Sequence, residues 1–574
     1  MTGMHSLSRR LVSLVALSAL AMPLAARAQQ MGYENVGEGG GTSGAASPLG
    51  SEKGKKRGSN RAGKRVEITP YIEVNQLVTA ELSPGSDVLT YTQLAVGVDA
   101  AISGQNNAAS ASVRYARQIG WGKKAGDGDV ISGLVRGYAT VTPGVTIEGG
   151  ALAASSRVDG VGSGSLGGLV PGNSSTDIYS IYAGPSVTTR VGDVAINGNY
   201  RAGFTKVKNN NAYVPEAGGA AVDVFDKSVT QVADLEAGVA PGDLLPVGLA
   251  VGGSFYQEDI SNLDQRVRDM QARAMVTVPV GRTVQVVGAI GYEDVEISNR
   301  DAVYGESGAP LIGSDGRYVT DKSSPRILAY DVSGLIWDVA VMWRPSRRTS
   351  LSAHVGRRYG STSFGGTLAY APNDRSQLSI AVYDNVAGFG GQLNRFLNDL
   401  PDDFEAVRDP VSGDLLGCVD SIEGNNCLSG ALGSVRSSTF RARGVSASYA
   451  TRLGGLNAGI GIGYDRRKFV AAEGTILASA NGVIDENYWL AAYLSGQLGR
   501  DAGWSANAYG RWLSSNDPLF DDVTAYGASA AYYRLIMPRL RGTVAIAVDG
   551  ATRDDPAIDD IWTATAMAGL RYSF

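Results

Sequence analysis

The chain has 574 residues, 76 of them glycine, with 44% hydrophobic, 8% aromatic and only 19% charged residues, and a formal charge of −5. Beyond an N-terminal leader, no stretch approaches the ~18 consecutive apolar residues of a spanning helix, which excludes a helical membrane protein. Only His354 remains beyond that leader, which excludes a clustered histidine metal site, and windows at helical period are too rare for a chain of amphipathic helical domains.

Residues 1–28 carry Arg9 and Arg10, an apolar stretch from Leu11 to Leu24 and the small-residue ending "ARA". That is the layout of a secretory signal peptide cleaved after Ala28. Its removal takes Arg9, Arg10 and Arg27 with it and moves the formal charge from −5 to −8. Residues 29–64 are Gly-, Ser- and polar-rich, with a basic patch at Lys53, Lys55, Lys56, Arg57, Arg61 and Lys64. Such a composition cannot bury a core, so a disordered periplasmic tail is expected there. A sharper alternative is an electrostatic tether to anionic lipid or cell-wall polymer. The tail is too small to be the plug domain of a 22-stranded outer-membrane transporter.

From residue 65 to 574 the pattern is alternation at period two, the mark of strands with unlike faces. In 456–465, Leu456, Ala458, Ile460, Ile462 and Tyr464 oppose Asn457, three glycines and Asp465. In 504–512, Trp504 and Trp512 end an apolar face opposite Ser505, Asn507, Tyr509 and Arg511. In 541–549, Val544, Ile546 and Val548 oppose Thr543, Ala545, Ala547 and Asp549. In the last strand Trp562 and Tyr572 share a face across ten residues, which spans about 25 Å at ~3.3 Å per residue and a tilt near 40°. An apolar face bounded by aromatics and a small polar face fit a transmembrane barrel, lipid outside and water inside, better than a sandwich packed with bulky side chains. Trp504, Trp512 and Trp562 are assigned to its aromatic girdles.

Short turns punctuated by Gly, Pro, Asn and Asp fall near 102–106, 142–144, 190–193, 240–243, 280–282, 344–348, 372–375, 452–455, 499–503 and 537–540. Longer connections alternate with them near 83–87, 121–128, 158–174, 207–226, 260–264, 297–326, 359–362, 389–434, 472–484, 514–519 and 553–559. The expectation is an all-β, antiparallel up-and-down barrel of 22 strands, with periplasmic turns and extracellular loops. The short loops 260–264 and 359–362 are the least punctuated, and losing one gives 20 strands. The longest loop, 389–434, holds both cysteines, Cys418 and Cys427; in an oxidising compartment they are expected to pair. It also holds 392–407, read as a short helix that either folds inward as a constriction or stands outside; the lumen is expected to stay open and be partly narrowed.

Strand parity assigns a lumen lining: Glu67, Tyr71 and Glu73; Arg114, Arg136 and Glu148; Asn197, Asn199 and Arg201; Asp338; Asn507 and Arg511; and Arg571. Catalytic signals are weak. Ser352 and His354 share a strand face but lie ~6.5–7 Å apart along it, and read as lumen residues. The "GSGSLG" of 162–167 sits in a loop rather than between strand and helix, which fails the context of a dinucleotide site. No cofactor, metal or catalytic residue is assigned, and nothing beyond the basic tail points to nucleic acid.

The chain ends "LRYSF". Leu570, Tyr572 and Phe574 alternate, with an aromatic last, and resemble the C-terminal signal by which outer-membrane barrels meet their assembly machinery. Together with "RVEITPYIEVNQLVTAEL" and "DVLTYTQLAVGVDAAIS" (65–82 and 87–103), they make the chain similar to proteobacterial porin-like outer-membrane barrels of the kind often found near exopolysaccharide genes. The resemblance implies export across the inner membrane to the outer membrane, with lipid, lipopolysaccharide and the barrel assembly machinery as partners. It leaves three functions open: an aqueous channel for small polar solutes, an outer-membrane component for export or anchoring of a surface polysaccharide, and a barrel enzyme acting on lipid or surface polymer. The first is preferred, with no enzymatic activity. Deleting Phe574 should leave unfolded chain in the periplasm; wild-type amounts of heat-modifiable barrel in outer-membrane fractions would refute the role given to the terminus.

Overall fold

The computed structural model describes residues 65–158, 164–166, 175–209, 222–223, 227–421, 436–517, 522–554 and 559–574. The leader and basic tail lie outside these residues. Twenty-two antiparallel strands, from 10 to 20 residues long, succeed one another around a single sheet, each paired with its chain neighbours. The last, Ile561–Ser573, pairs with the first, Arg65–Ser83, setting Tyr71 opposite Ser573 and Thr79 opposite Thr565. Closure leaves no unpaired edge, which is the condition for a sheet to cross a membrane. A three-residue strand, Gly164–Leu166, adds to Val145–Val158 at the end bearing the long loops.

Both short loops that decided between 20 and 22 strands are real reversals. Ile260 and Gln265 are joined through a 3-10 turn, Asn262–Asp264, in which Leu263 and Asp264 take positive φ. Tyr359 and Gly360, both at positive φ, form a two-residue hairpin connection of the kind that matches strand twist. The turn expected at 240–243 is longer, running from 240 to 247. Pro246 has no N–H to give to the ladder, so pairing resumes only at Gly248.

The two faces separate as alternation requires. Val544, Ile546 and Val548 point outward, Ile546 with 64% of its surface exposed, whereas Ala545, Ala547 and Asp549 between them are buried. Ile460, Ile462, Val339 and Leu335 continue the apolar outer wall. Trp512 is exposed on it, Trp504 is half-buried, and Trp562 stacks edge-on against Tyr526 at 4.9 Å. At the terminus the Tyr572 and Phe574 rings meet edge-on at 5.2 Å, Leu570 is exposed, and the Phe574 N–H donates to the Pro70 carbonyl at 2.9 Å. An apolar outer wall on a closed barrel of this size is the architecture of outer-membrane proteins.

Ile546 lies midway along Leu540–Arg553. Ile546→Arg should destabilise the barrel by about 2–4 kcal/mol in a lipid-refolding titration, and Ile546→Ala by much less, because the cost is that of a charge at mid-bilayer. Equal costs for the two would mean that Ile546 does not face lipid.

Candidate functional site

The inner wall is polar, and its charges are largely matched. Arg201 donates to Glu148 at 2.7 Å, Arg114 to Glu73 at 3.0 Å, and Arg273 to Asp338 at 3.5 Å. Arg571 reaches Asp99 at 2.7 Å, with its guanidinium 3.4 Å from the centre of the Tyr71 ring. Asn507 and Arg511 are buried on the same face, Asn197 and Asn199 half-buried, and Glu67 exposed near the turn end. Ser352 Oγ has no hydrogen-bond partner among the described residues, so it is not paired with His354.

The long loop folds into this lumen. Residues 388–421 leave the strand Ser376–Ala387 as a helix, Phe389–Asp399, succeeded by a hairpin of Glu405–Arg408 and Leu415–Asp420. The helix begins three residues before 392 and ends at Asp399. Pro401 holds Leu400 in extended backbone, and the chain beyond it forms strand rather than helix. One side of the helix carries Phe389, Leu393 and Leu397, and these bury against Leu134, Leu152, Ile178 and Val207 of the inner wall. Leu393 has no exposed surface. A porin-like wall facing only water would carry polar residues at such positions.

The helix start has no capping side chain of its own. Glu258, fully buried on the strand Gly248–Ile260, supplies the acceptor from the wall. Its carboxylate accepts the backbone N–H of Gly388 at 2.6 Å and of Gly391 at 2.9 Å, together with the hydroxyls of Ser228 and Tyr256, both at 2.6 Å. It satisfies two orphan donors and places negative charge at the positive end of the helix dipole. Gly391 is required there, because a Cβ would stand 1.8 Å from the Tyr256 hydroxyl. One turn on, Arg395 lies over the Tyr256 ring at 4.5 Å. Asn394 donates to Thr230 Oγ1 at 3.0 Å and accepts from Ser180 at 2.9 Å. It passes over Gly203, where any side chain would collide with it.

The hairpin is tied down as firmly. Arg136 pairs with Asp402 at 3.0 Å. Arg408 donates to Ser132 Oγ at 2.7 Å and to the Ser112 carbonyl at 3.0 Å. The Ser412 carbonyl accepts from Arg114 at 3.0 Å and from Gln93 at 3.2 Å. Val411 packs with Leu77, Ala547 and Met567 across the barrel closure. On the opposite flank Phe396 meets Tyr383 edge-on at 6.2 Å. The segment therefore touches the wall on several sides, and of the two directions left open for this loop the structure has the inward one. Above it, Gln265 donates to the Ser437 carbonyl, and Asn299 bonds Thr475 and Ala472, so loops from distant strands meet over the mouth.

Burial in the lumen pushes the Asp414 carboxyl up to about 6, against the opposing pull of Arg114. Docking of this turn thus takes up a proton as pH falls through about 6, and mild acid tightens it. Cys418 lies in Leu415–Asp420, but Cys427 is outside the described residues, and with it the expected disulfide.

No family model matches the sequence, and no curated protein matches it. Solved structures share the barrel at low identity. The apoprotein form of the FrpB iron transporter from Neisseria meningitidis is 10% identical, covers 88% of this chain and 81% of its own, and has a TM-score of 0.41. The open form of the ferric-catecholate import receptor Fiu from E. coli K12 is 10% identical, with coverages of 90% and 82% and a TM-score of 0.40. A loop L8 deletion mutant of OmpT, an outer membrane protein of Vibrio cholerae, is 8% identical, with coverages of 89% and 99% and a TM-score of 0.26. These are likenesses of fold.

Sequence reasoning missed Glu258, Arg408 and the apolar inner patch. The one available signal was broken alternation: Leu134 and Val135 are adjacent apolar residues, so one of them must face inward. Glu258→Ala leaves four donors without an acceptor and should cost the docked helix about 2–3 kcal/mol. Hydrogen exchange in Phe389–Asp399 should then rise roughly a hundredfold, while the barrel keeps its heat-modifiable migration. Unchanged exchange would show that Glu258 does not hold the helix.

Proposed function

We propose that this chain is an outer-membrane channel for small polar solutes, held shut or nearly so by its own loop, residues 388–421. In this reading the turn end faces the periplasm and the loop end the exterior, and the chain reaches the membrane through its C-terminal strand and the barrel assembly machinery. It transports and performs no chemistry. The observation that carries the reading is a wide barrel with a largely polar, charge-paired wall and a loop segment docked inside it through its helix and its hairpin. A barrel of about 22 strands is too wide for wall side chains alone to fill. Whatever passes must therefore wait on movement of the segment. Pairing of both charge signs along the wall implies weak ion selectivity, since neither sign dominates the path.

Planar-bilayer recording tests this. The wild-type protein should give small or rare openings, and removal of residues 392–432 should give steady conductance several times larger. Acidification from pH 7 to 5 should lower the wild-type conductance further and leave the deletion unaffected, because Asp414 lies in the removed segment. Absence of conductance in both proteins would overturn the channel reading.

A further inference from the structure

We infer that the outer wall carries a binding site for the phosphates of a phosphorylated glycolipid, the headgroup of lipopolysaccharide, on the strands Phe440–Leu453 and Leu456–Phe469. This rests on the outer wall facing lipid with its loop end in the outer leaflet, and not on the channel reading.

The site is a grid of like charges. Arg443 stands directly opposite Arg466, and Arg441 directly opposite Lys468. All four lie at the loop end, on the face that carries exposed Val445, Ile460 and Ile462 lower down. Like charges directly opposite on a sheet are unfavourable, and cations on a lipid-facing wall are tolerated only near the interface. Two carboxylates flank the grid. Asp384, fully buried, accepts Arg441 through two bonds of 2.7 Å and meets Arg443 at 3.2 Å. Glu486 meets Arg466 at 3.5 Å and accepts the Tyr464 hydroxyl at 3.0 Å. Arg443 also donates to the Thr362 carbonyl at 2.8 Å. Four cations against two carboxylates leave two positive charges over. Among the described residues Lys468 has no ion-pair partner. Elsewhere on the outer wall Arg266 pairs with Asp259 and Arg268 with Glu296, one to one.

The wall just below the grid fixes the class of ligand. Tyr464 and Tyr488 stack at 4.8 Å, and Phe364 lies under Arg443 at 5.8 Å, which makes an aromatic belt at the level of the headgroups. Beneath the belt the wall is apolar. A ligand that satisfies both needs phosphates at the height of Arg466 and Lys468 and acyl chains against Ile460 and Ile462. A soluble polyanion would use only the upper half.

The test uses the folded barrel in detergent and native mass spectrometry with diphosphoryl lipid A, its dephosphorylated form and inorganic phosphate. Wild type should hold one diphosphoryl lipid A. Arg466→Gln with Lys468→Gln should hold it about tenfold more weakly, as loss of two charge-assisted contacts predicts. Arg441 and Arg443 are kept so that Asp384 stays paired, and heat-modifiable migration reports folding. Wild-type protein alone should prefer the phosphorylated lipid, a comparison that needs no variant. Equal retention by the variant, equal binding of dephosphorylated lipid, binding of inorganic phosphate with no preference for the lipid, or a dimer in place of a lipid adduct would each overturn the assignment.

Discussion

Closure of the sheet is the constraint on which the rest of the molecule depends. In hydrocarbon every backbone donor and acceptor must find a partner within the protein, so the strand Arg65–Ser83 has to meet Ile561–Ser573. Twenty-two strands close into a ring whose inner side chains cannot reach across it. A wall of small polar residues would then leave a wide aqueous hole. This chain answers with its own longest loop. The helix Phe389–Asp399 and the hairpin behind it enter the ring, and part of the wall is apolar in order to receive them.

Among the described residues, what occupies the interior is a loop of the barrel itself. The segment remains covalently continuous with the wall at Ala387, and its anchors are mostly hydrogen bonds to wall serines, threonines and amides. Each such bond is worth only about 1 kcal/mol net. The Glu258 carboxylate with four donors and the buried leucine face are the stronger parts. In the proposed channel this balance would let the segment stay docked at rest and still release, because no single contact makes undocking prohibitive.

Much of the barrel was legible because alternation and turn chemistry are local. The Val544, Ile546 and Val548 face could be read from nine residues, whereas the two-residue hairpin at Tyr359–Gly360, with little punctuation, left 20 strands open as the alternative. The direction of the 389–434 loop was not legible. It depends on Leu134, Leu152, Ile178 and Val207, which lie on four different strands and meet only after closure. Glu258 was hidden for the same reason: within "SFYQEDI" it is an ordinary polar position, and its role appears only when Gly388 and Gly391, more than a hundred residues later, reach it. The cation grid was half legible, since "DRRK" at 465–468 shows its charges but not that Arg441 and Arg443 stand opposite them.

The proposed closure of the lumen depends on one placement, that of residues 388–421 inside the ring. Thr230 and Asn394, 3.0 Å apart through their side chains, give the most direct check. With Cys418 and Cys427 replaced by serine, Thr230→Cys and Asn394→Cys should form a disulfide in the membrane-embedded protein, seen by mass spectrometry as one cross-linked peptide pair with no free thiol. Independent labelling of both cysteines by a thiol reagent, with no cross-linked pair, would place the loop outside the barrel and contradict the account.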